Sequence, residues 1–197
     1  MKRDQLTTLI LQSLEHERGG VLIYEAALRC ALNDDLKKEW QEYLLQTKRH
    51  VQVLEHVCAA FGLNPEQETP CRQVVRWTGS ALAEAIRKAL AAGDPTAAQL
   101  FACESIVLAE TKDHLNWELL TAAAEKLSGA QGKALRTAVE EVEEEEDAHL
   151  YHTRGWCREL WLESLGLRAV LPPPEERKGV KTAIGAARAE RARDEMR

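Results

Sequence analysis

Residues 140–152 read EEVEEEEDAHLYH, thirteen residues of which seven are acidic and two are histidines. Either the run is the solvated face of a helix, or some of its side chains turn inward and hold a cation. Helical periodicity separates the two readings. A helix packed against neighbours shows its core through residues spaced alternately three and four apart. One such stripe runs Leu135, Val139, Val142, Glu146, His149, Thr153, Trp156, Leu160. Most of its members are apolar, as a core face requires. Glu146 and His149 fall in its middle, whereas Glu143, Glu144 and Glu145 fall off it. The run therefore splits. Most of it is expected to face solvent, and one Glu-x-x-His pair is expected to point inward.

The same test extends along the chain. Ala, Leu, Glu, Lys, Arg and Gln dominate long stretches, and alternating runs of strand type are nearly absent, so the fold class is all-α. Five helical segments can be placed. They run from about Arg3 to Ala31, Asp35 to Phe61, Cys71 to Ala92, Thr96 to Leu127 and Lys133 to Leu165. Asn33-Asp34-Asp35, Gly62, Gly93-Asp94-Pro95 and Ser128-Gly129 punctuate them. The first gives the stripe Leu6, Ile10, Ser13, Glu17, Val21, Tyr24, Leu28, Ala31. The second gives Leu36, Trp40, Tyr43, Thr47, His50, Leu54, Val57, Phe61, and the fourth Leu100, Cys103, Val107, Glu110, His114, Trp117, Thr121, Ala124. Each stripe carries its ionisable residues near mid-helix. Four long helices with a long connection between the second and fourth segments predict a four-helix bundle with a helical crossover that contains the third. The organisation expected is a bundle over 1–167, then a Pro-containing linker and an Arg/Ala-rich arm over 168–197.

The two halves match each other. Glu17, Tyr24-Glu25 and His50 align with Glu110, Trp117-Glu118 and His149, and the aromatic follows its glutamate by seven residues in both. The distance from the leading Glu to the final His is 33 in one half and 39 in the other, a difference that fits a Ser-Gly-Ala-Gln-Gly-Lys loop. This is the signature of a duplicated helix hairpin. Glu25 and Glu118 flank the stripes and are candidate partners for the histidines. His16, His56 and His152 lie off the stripes and are expected at the surface, and Tyr24, Trp40 and Trp117 are expected as core aromatics.

Composition narrows the function classes. The formal net charge is -6, and from Pro172 onward there are seven basic and five acidic residues, which leaves the body at -8. A body so acidic is a poor binder of nucleic acid, whose affinity is dominated by phosphate contacts, and it attracts cations. No apolar run reaches transmembrane length. The five cysteines form no CxxC pair and no signal peptide precedes them, so a reduced, cytoplasmic protein is expected, with thiols serving mainly as small apolar groups. Three inward glutamates and three inward histidines at one level need a common partner, because buried carboxylates are costly unless paired or metal-bound. Divalent iron, manganese or zinc fits mixed carboxylate and imidazole ligation.

These residues resemble the ferritin-like di-iron carboxylate superfamily, whose pattern is a Glu on each of two helices and a Glu-x-x-His on each of two others. Glu17 and Glu110 match the lone glutamates, Glu146 and His149 match the full motif, and His50 matches the second histidine. Thr47 stands where the second motif has its glutamate. Tyr24 resembles the aromatic often found seven residues after the first glutamate in ferritins and bacterioferritins. QTKRHVQVLEHV also resembles the second helix of a ferritin-like bacterial stress-protein family of unassigned activity. The resemblance covers roughly residues 5 to 165. It implies a ferritin-like bundle, two iron ions, reaction with dioxygen or peroxide of ferroxidase or peroxidase type, and a homo-oligomer such as a dimer. His114, one turn after Glu110, is a candidate substitute for the carboxylate missing at Thr47. The expected metal residues are thus Glu17, His50, Glu110, His114, Glu146 and His149. Metal binding without turnover, and a metal-free bundle acting through protein–protein contacts, stand as the alternatives.

Overall fold

Capping residues set most of the helix limits. In the computed structural model, which describes residues 2–196 with the side chain of Asp194 left out, α1 spans Arg3–Ala27, α2 Asp34–Phe61, α3 Pro70–Ala91, α4 Pro95–Ala124 and α5 Gly129–Ser164. Asn33 caps α2 by accepting from the amides of Asp35 and Leu36, Thr69 caps α3 and Asp94 caps α4, and Pro70 and Pro95 occupy the first helical position, where a missing N–H costs nothing. α2 ends on Gly62 in the left-handed conformation, φ 68°. Two shorter helices, α6 (Pro174–Arg177) and α7 (Ala183–Ala192), and a 3-10 turn over Arg193–Met196 complete the chain. The described residues contain no strand, and no helix among them is long and apolar enough to cross a membrane.

Two boundaries differ from expectation. The first helix ends at Ala27 rather than near Ala31, because the backbone tightens there: the amides of Arg29 and Cys30 bond three residues back. Gln99 of α4 then takes the amides of Leu32 and Asn33 on its Oε1, at 2.6 and 3.1 Å. The Ser-Gly-Ala-Gln-Gly-Lys stretch is mostly not a loop, since α5 already begins at Gly129.

The four long helices close a ring: α1 packs on α2 and α4, and α5 packs on the opposite flanks of α2 and α4. α3, in the connection between α2 and α4, lies along α1 and touches α4, with one face open to solvent. Two features bind it. A Cβ built on Gly79 would lie 3.0 Å from the Cα of Gly19, so the backbones meet without side chains between them. Beside that crossing the buried carboxylate of Glu15 accepts from Arg72 Nε at 2.5 Å and from Arg76 Nε at 2.6 Å. Glu15 and Glu17 are two residues apart, roughly 200° around the helix, so one faces α3 and the other the ring interior.

The C-terminal segment folds back along α5. Glu159, fully buried, accepts from the amide of Val170 at 2.8 Å and from Arg193 Nε at 2.5 Å. Glu175 holds Arg158 through two contacts, at 2.8 and 2.9 Å. Cys30, Cys58 and Cys103 are buried, and burial pushes the thiols of Cys58 and Cys157 up to about 11, which suits the apolar role expected of them.

Substituting Gly79 by valine forces side-chain atoms into the backbone of α1. We expect a loss of about 1–3 kcal/mol in urea unfolding, the usual range for overpacking, with the helical content of the native state unchanged by circular dichroism.

Candidate metal centre

The interior of the ring is apolar at both ends and charged in the middle. One apolar cluster gathers Tyr24, Tyr43, Ile106 and Trp156, and the other gathers Leu14, Leu54, Trp117 and Val142. On every helix the ionisable residues fall between members of these two clusters: Glu17 on α1, His50 on α2, Glu110 on α4, and Glu146 with His149 on α5. All five are 4% exposed or less. The α2 and α5 stripes read from sequence are buried almost throughout, with Phe61 alone half-buried.

Two triads form. Glu17, His50 and Glu146 offer donor atoms that all lie within 4.8 Å of one another, and so do Glu110, Glu146 and His149. Glu146 belongs to both. An ion with bonds of about 2.0–2.2 Å spans donors up to about 4.4 Å apart, so small side-chain adjustments close either set. His50 Nδ1 stands 2.9 Å from a Glu146 oxygen and 3.5 Å from Glu17, and His149 Nδ1 stands 3.5 Å from Glu110 and 3.8 Å from Glu146.

The outer nitrogens fix the tautomers. His50 Nε2 meets Glu145 Oε2 at 2.9 Å, and His149 Nε2 meets Gln46 Oε1 at 2.7 Å. A carboxylate or amide oxygen can only accept, so each ring donates from Nε2 and can turn the lone pair of Nδ1 to the interior. This is the arrangement that partners of metal-binding histidines impose. The donors facing inward are under-satisfied. Glu17 Oε2 and Glu146 Oε2 are buried without a partner among the described residues, whereas His50 Nδ1, Glu146 Oε1 and Glu110 Oε2 are met only by histidine–carboxylate ion-pair contacts at 2.9 and 3.5 Å. Buried polar atoms are almost always fully bonded, and so many under-satisfied ones in one layer call for a shared partner.

The duplication read from sequence has a counterpart in the hydrogen bonds. Tyr24 OH donates to Glu110 Oε1 at 2.6 Å, and Trp117 Nε1 donates to Glu17 Oε1 at 2.8 Å. Each half thus supplies an aromatic, seven residues past its own glutamate, to hold the glutamate of the other half. The histidine ties are reciprocal as well, since Gln46 precedes Thr47 and Glu145 precedes Glu146 in the matching helices. Thr47 is buried, with its methyl group against Gly20, where an added Cβ would be 3.2 Å away.

Other residues are placed differently from expectation. His114 stays outside the triads: its Nε2 meets Asp147 at 2.8 Å and its Nδ1 lies 3.7 Å from Glu118, at the half-buried seam between α4 and α5. The interior takes Asp113 instead, 5% exposed, with an oxygen that has no partner among the described residues. α4 is covered by α1, α3 and α5 together, and this shifts its buried arc from Val107, His114 and Thr121 toward Ile106, Asp113 and Leu120. Residues three and four after Glu110 flank it almost equally, so spacing alone could not choose between them. Glu25 pairs with Lys48 at the surface, and Glu118 touches only His114 among the expected ligands. Glu145, expected in solvent, is half-turned inward to His50 and Arg49. Of the off-stripe histidines, His56 is exposed, but His16 meets the Ala109 carbonyl at 2.9 Å and His152 is buried against Glu39, Tyr43 and the Val180 carbonyl.

The layer's electrostatics follow from this crowding. Burial opposes the charged form of His50, but Glu17, Glu145 and Glu146 outweigh it and hold the imidazole well above its ordinary range. His149 is raised for the same reason by Glu110 and Glu146. Burial would push Glu110 up, yet His149 and Tyr24 keep it below the usual carboxylate range. Glu146 is pushed up to about 7 by burial, with Glu17 adding to the effect, and Asp113 is pushed well up by burial and by Glu17, Glu146 and Glu110. Without ions, the layer is short of positive charge.

No protein-family model, no curated protein and no solved structure matches this chain.

The position of Glu146 gives a test in an ion-free buffer. Its carboxyl holds a proton up to about pH 7 when folded, whereas the unfolded chain releases it in the ordinary carboxylate range. The stability this group leaves to the fold is therefore full at low pH and is lost as pH rises toward 7, a loss on the order of 3 kcal/mol. In chelator we expect Glu146→Gln to be more stable than the unaltered chain at about pH 8, by roughly 1–3 kcal/mol. The two should nearly coincide near pH 4, with urea unfolding at both values as the measurement.

Proposed function

We propose that the charged layer is a two-cation centre and that the chain is a ferritin-like metalloprotein of oxidoreductase type. The observation that carries this reading is the set of under-satisfied inward carboxylates, together with two imidazoles whose outer nitrogens are already occupied. Glu17 and His50 would hold one ion, Glu110 and His149 the other, and Glu146 would serve both. Asp113, which is buried and feels the charges of Glu17, Glu146 and Glu110, supplies a fourth carboxylate. Four carboxylates and two neutral imidazoles balance two divalent ions, which removes the cost of burying like charges together. Iron fits this donor set, as do manganese and zinc.

The remaining residues have definable tasks. Tyr24 keeps its proton, since burial and Glu110 push its hydroxyl well up, so it stays a donor that fixes Glu110. Trp117 fixes Glu17 in the same way. Glu145 and Gln46 hold the rings in one tautomer. The apolar clusters above and below keep bulk water from the ends of the layer. When the bound pair is ferrous iron, the chemistry it supplies is two-electron reduction of dioxygen or peroxide.

Metal analysis of the purified chain after anaerobic incubation with ferrous iron, manganese or zinc tests the centre. We expect about two ions per chain, in line with a bundle-core carboxylate site, and loss of at least one of them in His50→Ala and His149→Ala. Binding must displace protons from the imidazoles, so uptake should strengthen as pH rises. A chain that takes up none of the three metals overturns the proposal. Oxygen consumption on adding ferrous iron separates turnover from binding alone: no consumption by an iron-loaded chain favours the non-catalytic alternative.

A further inference from the structure

A cation that reaches Glu146 must leave water somewhere, and the structure closes most of the ways in. Along the axis of the ring, the two apolar clusters block both ends of the charged layer. The seam between α1 and α2 is shut by the Gly20–Thr47 approach. The seam between α1 and α4 is tied by His16 to the Ala109 carbonyl and by Tyr24 to Glu110, and α3 packs on both helices.

The two remaining seams carry cavities at this level. The groove between α2 and α5 is rich in acids, but its inner wall holds Tyr43, Gln46 and Glu145. Gln46 and Glu145 engage the backs of the imidazoles, and Glu145 is itself paired with Arg49 at 2.5 Å. Lys38 and Lys181 also line that groove. The cleft between α4 and α5 is different. It has a volume of about 240 Å³, against roughly 180 Å³ for six waters at about 30 Å³ each. Its lining includes Glu146 itself, which is 1% exposed with Oε1 on His50 and Oε2 without a partner among the described residues, and Trp117, the donor to Glu17. Toward solvent stand Glu118, Glu143 and Asp147, with His114 between Glu118 and Asp147. No lysine or arginine lines it among the described residues.

We infer that the α4–α5 cleft is the route by which a divalent cation enters the centre, with Asp147, Glu118 and Glu143 as its collecting mouth and Glu146 as the group that receives the ion. His114 is then a residue of the route and not of the centre. The inference rests on the two-cation reading above. A mouth lined by one sign of charge concentrates counter-ions and raises the rate of capture, and it leaves the equilibrium capacity of the interior untouched.

The test is a kinetic one on the full chain with cobalt(II) as the probe. Stopped-flow absorption follows loading, and equilibrium dialysis gives the final stoichiometry. The triple variant Glu118→Gln, Glu143→Gln, Asp147→Asn should load about tenfold or more slowly, within the range that steering accounts for, and should reach the same stoichiometry as the unaltered chain. Glu140→Gln with Glu144→Gln, in the α2–α5 groove, should load at the unaltered rate. Loading of the triple variant at the unaltered rate, or slowing confined to the groove variant, overturns the route and leaves the centre standing. A lower stoichiometry in the triple variant also overturns it, because the cleft residues would then hold resident ions. An unaltered chain that takes up no cobalt overturns the centre and the route together.

Discussion

The structure turns on one electrostatic constraint: four carboxylates share a buried layer with two imidazoles. Glu17, Glu110, Asp113 and Glu146 are all 5% exposed or less, and so are His50 and His149. Taking a charge out of water costs several kcal/mol unless another charge answers it. Within the chain the answers are partial: His50 reaches Glu17 and Glu146, His149 reaches Glu110, and one oxygen after another is left over. The rest of the fold is arranged around the layer. Apolar clusters of similar make-up seal it on both sides, and the histidines are oriented from behind by groups outside it. Apolar side chains would fill such a layer at less cost than buried carboxylates.

The layer has an approximate two-fold relation that is broken at one place. Glu17 answers to Glu110, His50 to His149, Tyr24 to Trp117, and Gln46 to Glu145. The pairs Gly20 with Thr47 and Asp113 with Glu146 occupy equivalent positions, three residues past the leading glutamate and three before the histidine. One half brings a hydrogen atom and a methyl group together there, and the other brings two carboxylates. The carboxylate absent at Thr47 is thus matched in number by Asp113, but on the opposite side of the ring. In the proposed centre this concentrates negative charge along the α4–α5 seam, the seam that also carries the acid-lined cleft. The asymmetry of the ligands and the asymmetry of access have a single origin in the divergence of the two halves.

Much of this was legible in the sequence, for physical reasons that can be named. The α2 and α5 stripes could be read because each of these helices buries one narrow face, so a spacing of three and four picks out Thr47, His50, Glu146 and His149 without ambiguity. The convergence of Glu17, His50, Glu110, Glu146 and His149 followed from their mid-helix positions. α4 was read less well. Three helices cover it, its buried arc is broad, and Asp113 and His114 straddle the phase that periodicity assigns to Glu110. Glu145 and Gln46 were missed because they sit beside the stripe rather than on it. Their role depends on which ring nitrogen the backbone presents, and spacing carries no information on that. His152 looked like a surface residue because its cover comes from Val180, in a segment whose return onto α5 has no local signal.

The orienting groups behind the two histidines also set them apart from each other. Glu145 is an anion shared with Arg49, so the proton on His50 Nε2 is held by a charge-assisted bond. Gln46 is neutral, so the matching bond on His149 is weaker. A stronger acceptor behind an imidazole makes its inner nitrogen a better donor to a cation. On the Glu17 side, then, the ring is the more basic ligand. On the Glu110 side the ring is less basic, while the two glutamates are each held by one aromatic donor, Tyr24 and Trp117. Two cations in this layer would meet unequal fields although the surrounding helices are related by an approximate two-fold. The inequality arises from single residues, Glu145 against Gln46 and Asp113 against Gly20, set on a frame that otherwise treats its two halves alike.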